Sequence, residues 1–289
     1  MSVVLVTGSS SGIGLATALL FARGGARVFA TTRASSSTDE LMTRARDEGL
    51  PLEHVELDVT SDDSVSTAVA GILDRAGHID VLVNNAGISL SASVEDARMS
   101  DAKRIFEVNY FGAIRMVRAV LPSMRQRGDG RIINVSSISG RAPVPVLGHY
   151  GASKFALESV SESLAHEVAG LGIKVVVVEP GTTRTPMFTR RKNLRPIDPK
   201  SPYMPHIRRL YGYFGEAMKQ ALEAEQVAQT IVEAATSESP RFRYLMGRDA
   251  LGLVRAHEHS TDEERIEIAK ADDEEFAAFM NERAGIDLY

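Results

Sequence analysis

Val3-Val4-Leu5-Val6-Thr7-Gly8-Ser9-Ser10-Ser11-Gly12-Ile13-Gly14 lies at the start of the chain, and its reading decides the fold. Val3 to Val6 is a short apolar run rich in β-branched residues, the pattern of a strand buried on both faces. Leu15 to Arg23 continues in helical pattern. Between them lies a glycine-rich turn with the spacing G-x-x-x-G-x-G. Gly8 lets the backbone turn sharply, while Gly12 and Gly14 remove side chains where a pyrophosphate approaches and where helix packs on strand. The N–H groups at the helix start then face the phosphates. Gly8, Ser10, Ser11, Gly12, Ile13 and Gly14 are therefore candidate cofactor contacts. A glycine-rich turn without a ligand is the plain alternative, and the strand and helix on either side argue against it.

Working outward, the same alternation repeats. Strands are expected at Arg27–Thr31, Leu52–Leu57, Ile79–Val83, Arg131–Val135, Ile173–Val178 and Arg241–Met246. Helices are expected at Leu41–Gly49, from an N-cap at Thr60 to Arg75, from a cap at Ser100 to Arg127, from Tyr150 to Gly170, and at Glu223–Thr236. This pattern predicts an α/β fold, a Rossmann-like doubly wound parallel seven-stranded sheet with helices on both faces. Ligands then sit at the carboxyl ends of the strands, where Gly8, Asp58, Asn85 and Gly87 fall. At the end of the second strand stands Thr31-Thr32-Arg33, with no acidic residue to hold ribose hydroxyls. Arg33, aided by Ser10 or Ser11, suits a 2′-phosphate, which favours NADP(H) over NAD(H). The alternative is a solvated loop charge.

The totals set the class. The chain has 289 residues, a net charge of −5 and no cysteine. That charge gives no general attraction to nucleic acid or anionic membranes. Without cysteine there are no disulfides and no thiolate chemistry, which fits a reducing compartment. No basic leader precedes Val3, and no uninterrupted apolar run reaches about 18 residues, so a cytoplasmic protein without a membrane span is expected. The seven histidines show no zinc-type spacing, and no metal is expected.

Tyr150 and Lys154 lie four apart at the start of a helical segment, on one face and one turn from each other. A free phenol has a pKa of about 10. A neighbouring ammonium stabilises the phenolate and should lower that value, giving an acid/base able to work near neutral pH. Ser137 precedes Tyr150 by 13 residues, and Asn109 interrupts an apolar helix face. An asparagine there is by default a core residue satisfied by water or backbone.

Thr7-Gly8-x-x-x-Gly12-x-Gly14, Asn84-Asn85-Ala86-Gly87, Asn109, Ser137, Tyr150-x-x-x-Lys154 and Pro180-Gly181-x-x-x-Thr185 occur in this order. Together they resemble the short-chain dehydrogenase/reductase family in its compact single-domain form, over roughly residues 2–248, and within it the hydroxysteroid and retinol dehydrogenase branch. The resemblance implies an NAD(P)-dependent interconversion of alcohol and carbonyl. It implies Tyr150 as acid/base and Lys154 as the residue that lowers its pKa and binds the nicotinamide ribose. It gives Ser137 a hydrogen bond to the substrate oxygen, Ser136 being the second choice, and Asn109 a relay water. Asp58 and Val59 would meet adenine, Asn85, Ala86 and Gly87 the adenosine ribose side, and Pro180, Gly181, Thr183 and Thr185 the nicotinamide side. It also implies a homodimer or homotetramer built on the helices near 100–127 and 150–170.

After Thr185 the pattern breaks into a stretch, about 186–222, rich in proline and in large apolar residues. A connection this long is unusual unless functional. It suits an apolar lid over a small lipophilic substrate, with Met187, Phe188 and Tyr211 as candidate contacts beside Ser137 and Tyr150. The alternatives are an insertion packed on the domain or a subunit contact. Arg184, Arg190, Arg191, Lys192, Arg195, Lys200, Arg208 and Arg209 make the stretch basic. They read as a solvated face, or as a holder for an anionic substrate tail such as that of a 3-oxoacyl thioester. Ser260 with Glu263 resembles a capping box that opens an acidic tail helix through about 283. Its Phe276, Phe279 and Met280 share one face and must dock somewhere. One catalytic domain spanning 1–289 is expected. Loss of Ser137, Tyr150, Lys154 or Asn109 would have signalled a cofactor-binding sensor without turnover, and all four are present.

Overall fold

The computed structural model describes residues 1–189 and 198–286, excepting the side chains of Phe188 and Thr189. The first half alternates strand and helix: β1 (Val3–Val6), α1 (Gly12–Arg23), β2 (Arg27–Thr32), α2 (Asp39–Asp47), β3 (Leu52–Glu56), α3 (Asp62–Ala76) and β4 (Val81–Asn84). Next come α4 (Met99–Phe106), a π turn at Glu107–Phe111, α5 (Gly112–Arg127), β5 (Gly130–Val135), α6 (Gly148–Val168) and β6 (Ile173–Pro180). The remainder is β7 (Thr183–Arg184), α7 (Pro186–Thr189), α8 (Met204–Lys219), β8 (Leu222–Glu223), α9 (Ala224–Thr236), β9 (Arg243–Met246), α10 (Arg248–Glu258), α11 (Asp262–Ile268) and α12 (Asp273–Ala284).

Seven of these strands form one sheet in the order β3-β2-β1-β4-β5-β6-β9, every pair parallel. The central strands are buried on both faces, as their unbroken Val, Ile and Leu runs require. One face is covered by α1, α2 and α9, with Leu15, Leu19, Leu41, Val227 and Ile231 in its core. The other is covered by α3, α5 and α6, around Val65, Ile72, Met116, Val120 and Val168. The chain reverses its winding between β1 and β4, so a crevice opens at the carboxyl ends of these two strands.

Several boundaries move for local reasons. The cap of α3 is Ser61, which accepts from the Ser64 N–H at 3.2 Å. Thr60 is not the cap, because the Asp58 carboxylate takes both its N–H and its hydroxyl. The helix expected from Ser100 starts at Met99 after an extended Arg98, and it is not continuous to Arg127, because the π turn interrupts it. The last sheet strand begins at Arg243 rather than Arg241, where pairing with Val177 starts. The tail capping box is one residue later than expected: Thr261 accepts from the Glu264 N–H, and Glu264 accepts from the Thr261 N–H at 2.8 Å. The tail is two helices, α11 and α12, with Asp272 capping the second.

The stretch after Thr185 is pinned at its root. β7 and β8 pair in parallel, joining Thr183 to Leu222 and Arg184 to Glu223. Between them α8 is a full helix opened by Pro205 in its first turn, where a missing N–H does no harm. Leu210 and Tyr213 of α8 pack with Leu147 and with Phe276, Phe279 and Met280 of α12. The tail therefore docks on its own chain.

Candidate active site

A cleft of about 780 Å³ runs along the carboxyl ends of the strands. Gly8, Ser10, Ser11, Gly12, Ile13, Gly14, Arg33, Asp58, Val59, Asn85, Ala86, Gly87, Tyr150, Lys154, Pro180, Gly181, Thr183 and Thr185 all line it. Gly8 and Gly12 have φ of +71° and +58°, a conformation that glycine adopts without strain. A Cβ on Gly14 would collide with the Gly8 carbonyl. Ser11, the residue before α1, makes no side-chain cap. The first-turn N–H groups of α1 are thus left facing the cleft, as a pyrophosphate requires. A dinucleotide fits this cradle.

Asn85 has a more mechanical place than expected. Its amide donates to the Thr7 and Gly8 carbonyls at 2.9 and 3.2 Å, tying the glycine-rich turn to the end of β4. Burial pushes the Asp58 carboxyl up, but the Thr60 N–H and hydroxyl, with the charges of Arg33 and Arg104, outweigh it and leave it below its ordinary value. Arg33 is exposed, and its guanidinium makes no hydrogen bond or ion pair among the described residues, while its carbonyl accepts from the Ser36 N–H at 2.9 Å. It shares the cleft wall with Ser10, Ser11 and Ser36. Lys103 and Arg104 of α4 also line the cleft; nothing in their local pattern marks them, since they sit on an ordinary charged helix face.

At the nicotinamide end of such a cleft stand Ser137, Tyr150 and Lys154. Ser137 caps a short 3-10 turn, accepting from the Ser139 N–H at 3.2 Å. Burial raises the Tyr150 phenol above its ordinary pKa, and a hydrogen bond with the Ser137 side chain pulls it part of the way back. The lowering expected from Lys154 is absent in the chain itself. The reason is geometric: Lys154 Nζ donates to the Val135 carbonyl at 2.8 Å and sits 5.9 Å from the Tyr150 ring centre. Lys154 is itself buried, and burial lowers its pKa to about 8, against the upward pull of Glu158 one turn along α6.

Asn109 is buried in the π turn. Its Oδ1 accepts from the Ile88 N–H at 2.9 Å, and its amide donates to the Ile88 carbonyl and the Ser153 hydroxyl at 2.9 and 3.0 Å. A Cβ on Gly87 would lie 3.4 Å from Asn109 Oδ1 and 3.9 Å from Lys154 Nζ, so both flank the same small space. Ser136 also lines the cleft; its buried hydroxyl has no hydrogen-bond partner among the described residues, and a Cβ on Gly140 would lie 2.9 Å from it.

Behind Lys154 lies a charged cluster that the sequence did not reveal. Glu158 and Glu179 both approach Arg243 Nε, at 3.1 and 3.3 Å. Arg141 also reaches Glu179 at 3.3 Å. Burial, then the nearby Glu158, raises the Glu179 carboxyl to about 7, against Arg141 and Arg243.

A second, apolar pocket of about 110 Å³ opens beside Ser137 and Tyr150. Val144, Leu147, Met187, Tyr211, Phe214 and Leu253 form most of its wall, with Ser89, Ser91 and Ser139 as polar points. Met187 and Tyr211 are where expected; the Phe188 side chain lies outside the described residues, as do Arg190, Arg191, Lys192 and Arg195. Two of the described cations pair within the chain, one of them buried and the other exposed. Arg209 is buried and pairs with Asp273 at 2.8 Å, and Arg184 pairs with Glu223 at 2.9 Å.

Among the described residues no helix is long and apolar enough to cross a membrane. A family profile described as short chain dehydrogenase matches residues 2–195. A 3-ketodihydrosphingosine reductase of Bacteroides thetaiotaomicron is 34% identical over 246 residues, 85% of this chain and 87% of that protein. Rat (Rattus norvegicus) estradiol 17-beta-dehydrogenase 1 is 35% identical over 266 residues, 88% of this chain and 76% of that protein. The crystal structure of a metagenomic short-chain oxidoreductase in complex with NADP superposes with a TM-score of 0.68 at 27% identity, covering 85% of this chain and 96% of that one. With a glycine-rich crossover, a parallel seven-stranded sheet and this extent of matching, the chain belongs to the short-chain dehydrogenase family and is an oxidoreductase that acts on CH–OH groups with NAD(P).

Proposed function

We propose that the protein interconverts a carbonyl and an alcohol on a lipophilic substrate with NADP(H). One observation carries this reading: Ser137 and Tyr150 line both the dinucleotide cleft and the apolar pocket, and so stand where the two meet. The nicotinamide, when bound, supplies or accepts the hydride. In reduction, Tyr150 gives its proton to the carbonyl oxygen and Ser137 donates a hydrogen bond to the developing alkoxide. A phenol held protonated by burial suits the donor role. Lys154 carries positive charge at neutral pH and holds the ribose side. Asn109 and Lys154 flank the space where a relay water would pass protons outward.

The preference for NADP(H) is supported by Arg33 beside Ser10 and Ser11 and by the absence of an acidic residue at the end of β2, NAD(H) being the alternative. The lipophilic substrate is supported by the pocket wall and by two relatives named for an estradiol and a ketodihydrosphingosine. A cavity of about 110 Å³ is near the size that holds one aromatic ring. A steroid, retinoid or long chain therefore needs the 186–222 stretch to act as a lid that opens. Burial of Arg209 against Asp273 removes one candidate anion contact and so weighs against the 3-oxoacyl thioester alternative. One catalytic unit over 1–289, a cytoplasmic location, and a homodimer or homotetramer through α5 and α6 complete the reading.

The test is consumption of NADPH and NADH by the purified protein across steroids, retinals, aryl ketones and 3-oxoacyl thioesters. Turnover of ring or long-chain ketones with NADPH is expected. Turnover confined to thioesters would move the substrate to that class. Tight NADPH binding with no turnover on the panel would favour a sensor.

A further inference from the structure

Two glutamates are buried behind Lys154, and they share too few cations. Glu158 follows Lys154 by four residues on α6, one turn along the same face. Glu179 stands in β6, next to the Pro180 and Gly181 that line the dinucleotide cleft. Their side chains are 6% and 0% exposed. Arg243 Nε faces both, 3.1 Å from Glu158 and 3.3 Å from Glu179, and its single N–H bonds fully to only one acceptor. Arg243 also pairs with Glu162 at 2.7 Å, and Arg141 divides itself between Glu179 and Glu258 at 3.3 Å each. Four carboxyl groups thus share two guanidinium groups. His166 and His257 lie at the outer edge, beside Glu162 and Glu258. Glu158 Oε1 and Glu179 Oε2 are buried with no hydrogen-bond partner among the described residues.

Two buried carboxyls on one guanidinium resist ionising together, so one proton stays with the pair. Glu179 is the more deeply buried, while Glu158 takes the Arg243 N–H. This arrangement leaves the proton on Glu179 and the charge on Glu158. Lys154 is buried as well. Its Nζ donates to the Val135 carbonyl and forms no ion pair among the described residues. Tyr150, its titratable neighbour on the cleft side, is kept protonated by burial. The charge that favours the ammonium form against burial is Glu158.

We propose that Glu158 and Glu179 divide one proton unequally, so that Glu179 keeps it and Glu158 stays charged as the positioning residue that holds Lys154 in its ammonium form. This deepens the role given to Lys154 above and rests on that reading. The consequence is a buried lysine that meets the ribose side of the cofactor as a cation at neutral pH, without a direct ion pair to draw it away from the cleft.

Nuclear magnetic resonance of the full chain, isotope-labelled at its lysine side chains and free of cofactor and substrate, reads this directly. The chain has seven lysines, and Lys154→Met assigns the signal. Wild-type Lys154 should titrate at about pH 8. Glu158→Gln keeps the shape and removes the charge, and it should lower that midpoint by about one pH unit. Glu179→Gln imitates the protonated acid and should move it by less than about 0.3 unit. Glu158→Asp, which keeps the charge, should hold it within about half a unit of wild type. A midpoint unmoved by Glu158→Gln overturns the proposal, as does one that Glu179→Gln lowers equally far. The other lysines should titrate as in wild type; a change spread over them would mark a general loosening and overturn the assignment to charge. NADPH affinity across the same pH range tests the reading beneath. Its Kd should rise by about threefold or more through the Lys154 midpoint, and the rise should move with that midpoint in Glu158→Gln. A flat Kd beside the expected Lys154 shift would uphold the charge coupling and contradict the place of Lys154 at the cofactor.

Discussion

At the scale of single residues, the site is held together against its own electrostatics. Lys154 has a pKa of about 8 in the folded chain against 10.5 in the open. The unfolded chain therefore holds that proton more tightly, and the charge of Lys154 destabilises the fold at pH 7. Stability should recover as pH rises from about 8 to 10.5. Lys154→Met should raise unfolding stability at pH 7 by on the order of 1–2 kcal/mol while lowering kcat by about a hundredfold or more. Denaturant melts beside turnover measure both; loss of stability would show that Lys154 supports the fold. Glu179 runs the opposite way. Its carboxyl keeps its proton to about pH 7 rather than 4.5, so the folded chain binds it more tightly and stability falls as pH rises between those values. In Glu179→Gln the difference in unfolding free energy between pH 5 and pH 8 should shrink by on the order of 2 kcal/mol. An unchanged slope would mean that Glu179 titrates as an open carboxyl. Neither shift was legible in the sequence, because burial depends on what the rest of the chain folds over the group. Tyr150 is the plainest case: the Lys154 spacing argued for a lowered pKa, and burial reversed the sign.

At the scale of elements, placement was legible where a pattern is local and illegible where a distant partner decides. The β1–turn–α1 unit was readable because strand, glycines and helix all lie within Val3–Arg23. Gly14→Ala drives a Cβ into the Gly8 carbonyl, and overpacking of this kind should cost about 2 kcal/mol and weaken NADPH binding at least tenfold. Wild-type affinity in that variant would show that the turn does not approach the cofactor. Caps slipped by one residue where two polar residues compete, as at Thr60 and Ser61, where Asp58 claims the first. The π turn that inserts Asn109 between Ile88 and Ser153 has no local signature. Arg209 counted as surface charge in the sequence, yet it is buried between Asp273 and the Phe276 ring, 4.5 Å from the ring centre. Arg209→Ala should loosen α12 from α8 at a cost of about 1–3 kcal/mol, seen as faster exchange in residues 273–284 than in the central sheet.

At the scale of the whole molecule, seven parallel strands with ligands at their carboxyl ends followed from alternation and near-continuous apolar runs, whereas the strand order that opens the crevice between β1 and β4 came only with the structure. The dinucleotide cleft followed with the strands. The substrate side followed only in part: Ser137, Tyr150, Met187 and Tyr211 line the pocket as expected, but the rest of its wall had no local signal. Asp249, whose carboxylate accepts from the Thr182 N–H and the Tyr213 hydroxyl, lies 67 residues from the first and 36 from the second, and no local pattern links the three. The pocket wall is likewise assembled from β4, α6, α8 and α10 neighbours that meet only in the fold. The function therefore hinges on the one place where cleft and pocket meet. The most direct test compares wild type and Tyr150→Phe for NADPH affinity and for NADPH-dependent reduction of the best ketone of the panel. The protein described here should keep its NADPH Kd within about threefold and lose about a thousandfold or more in kcat. Reduction at the wild-type rate by the phenylalanine variant would contradict Tyr150 as the proton donor and, with it, the placement of the chemistry at this junction.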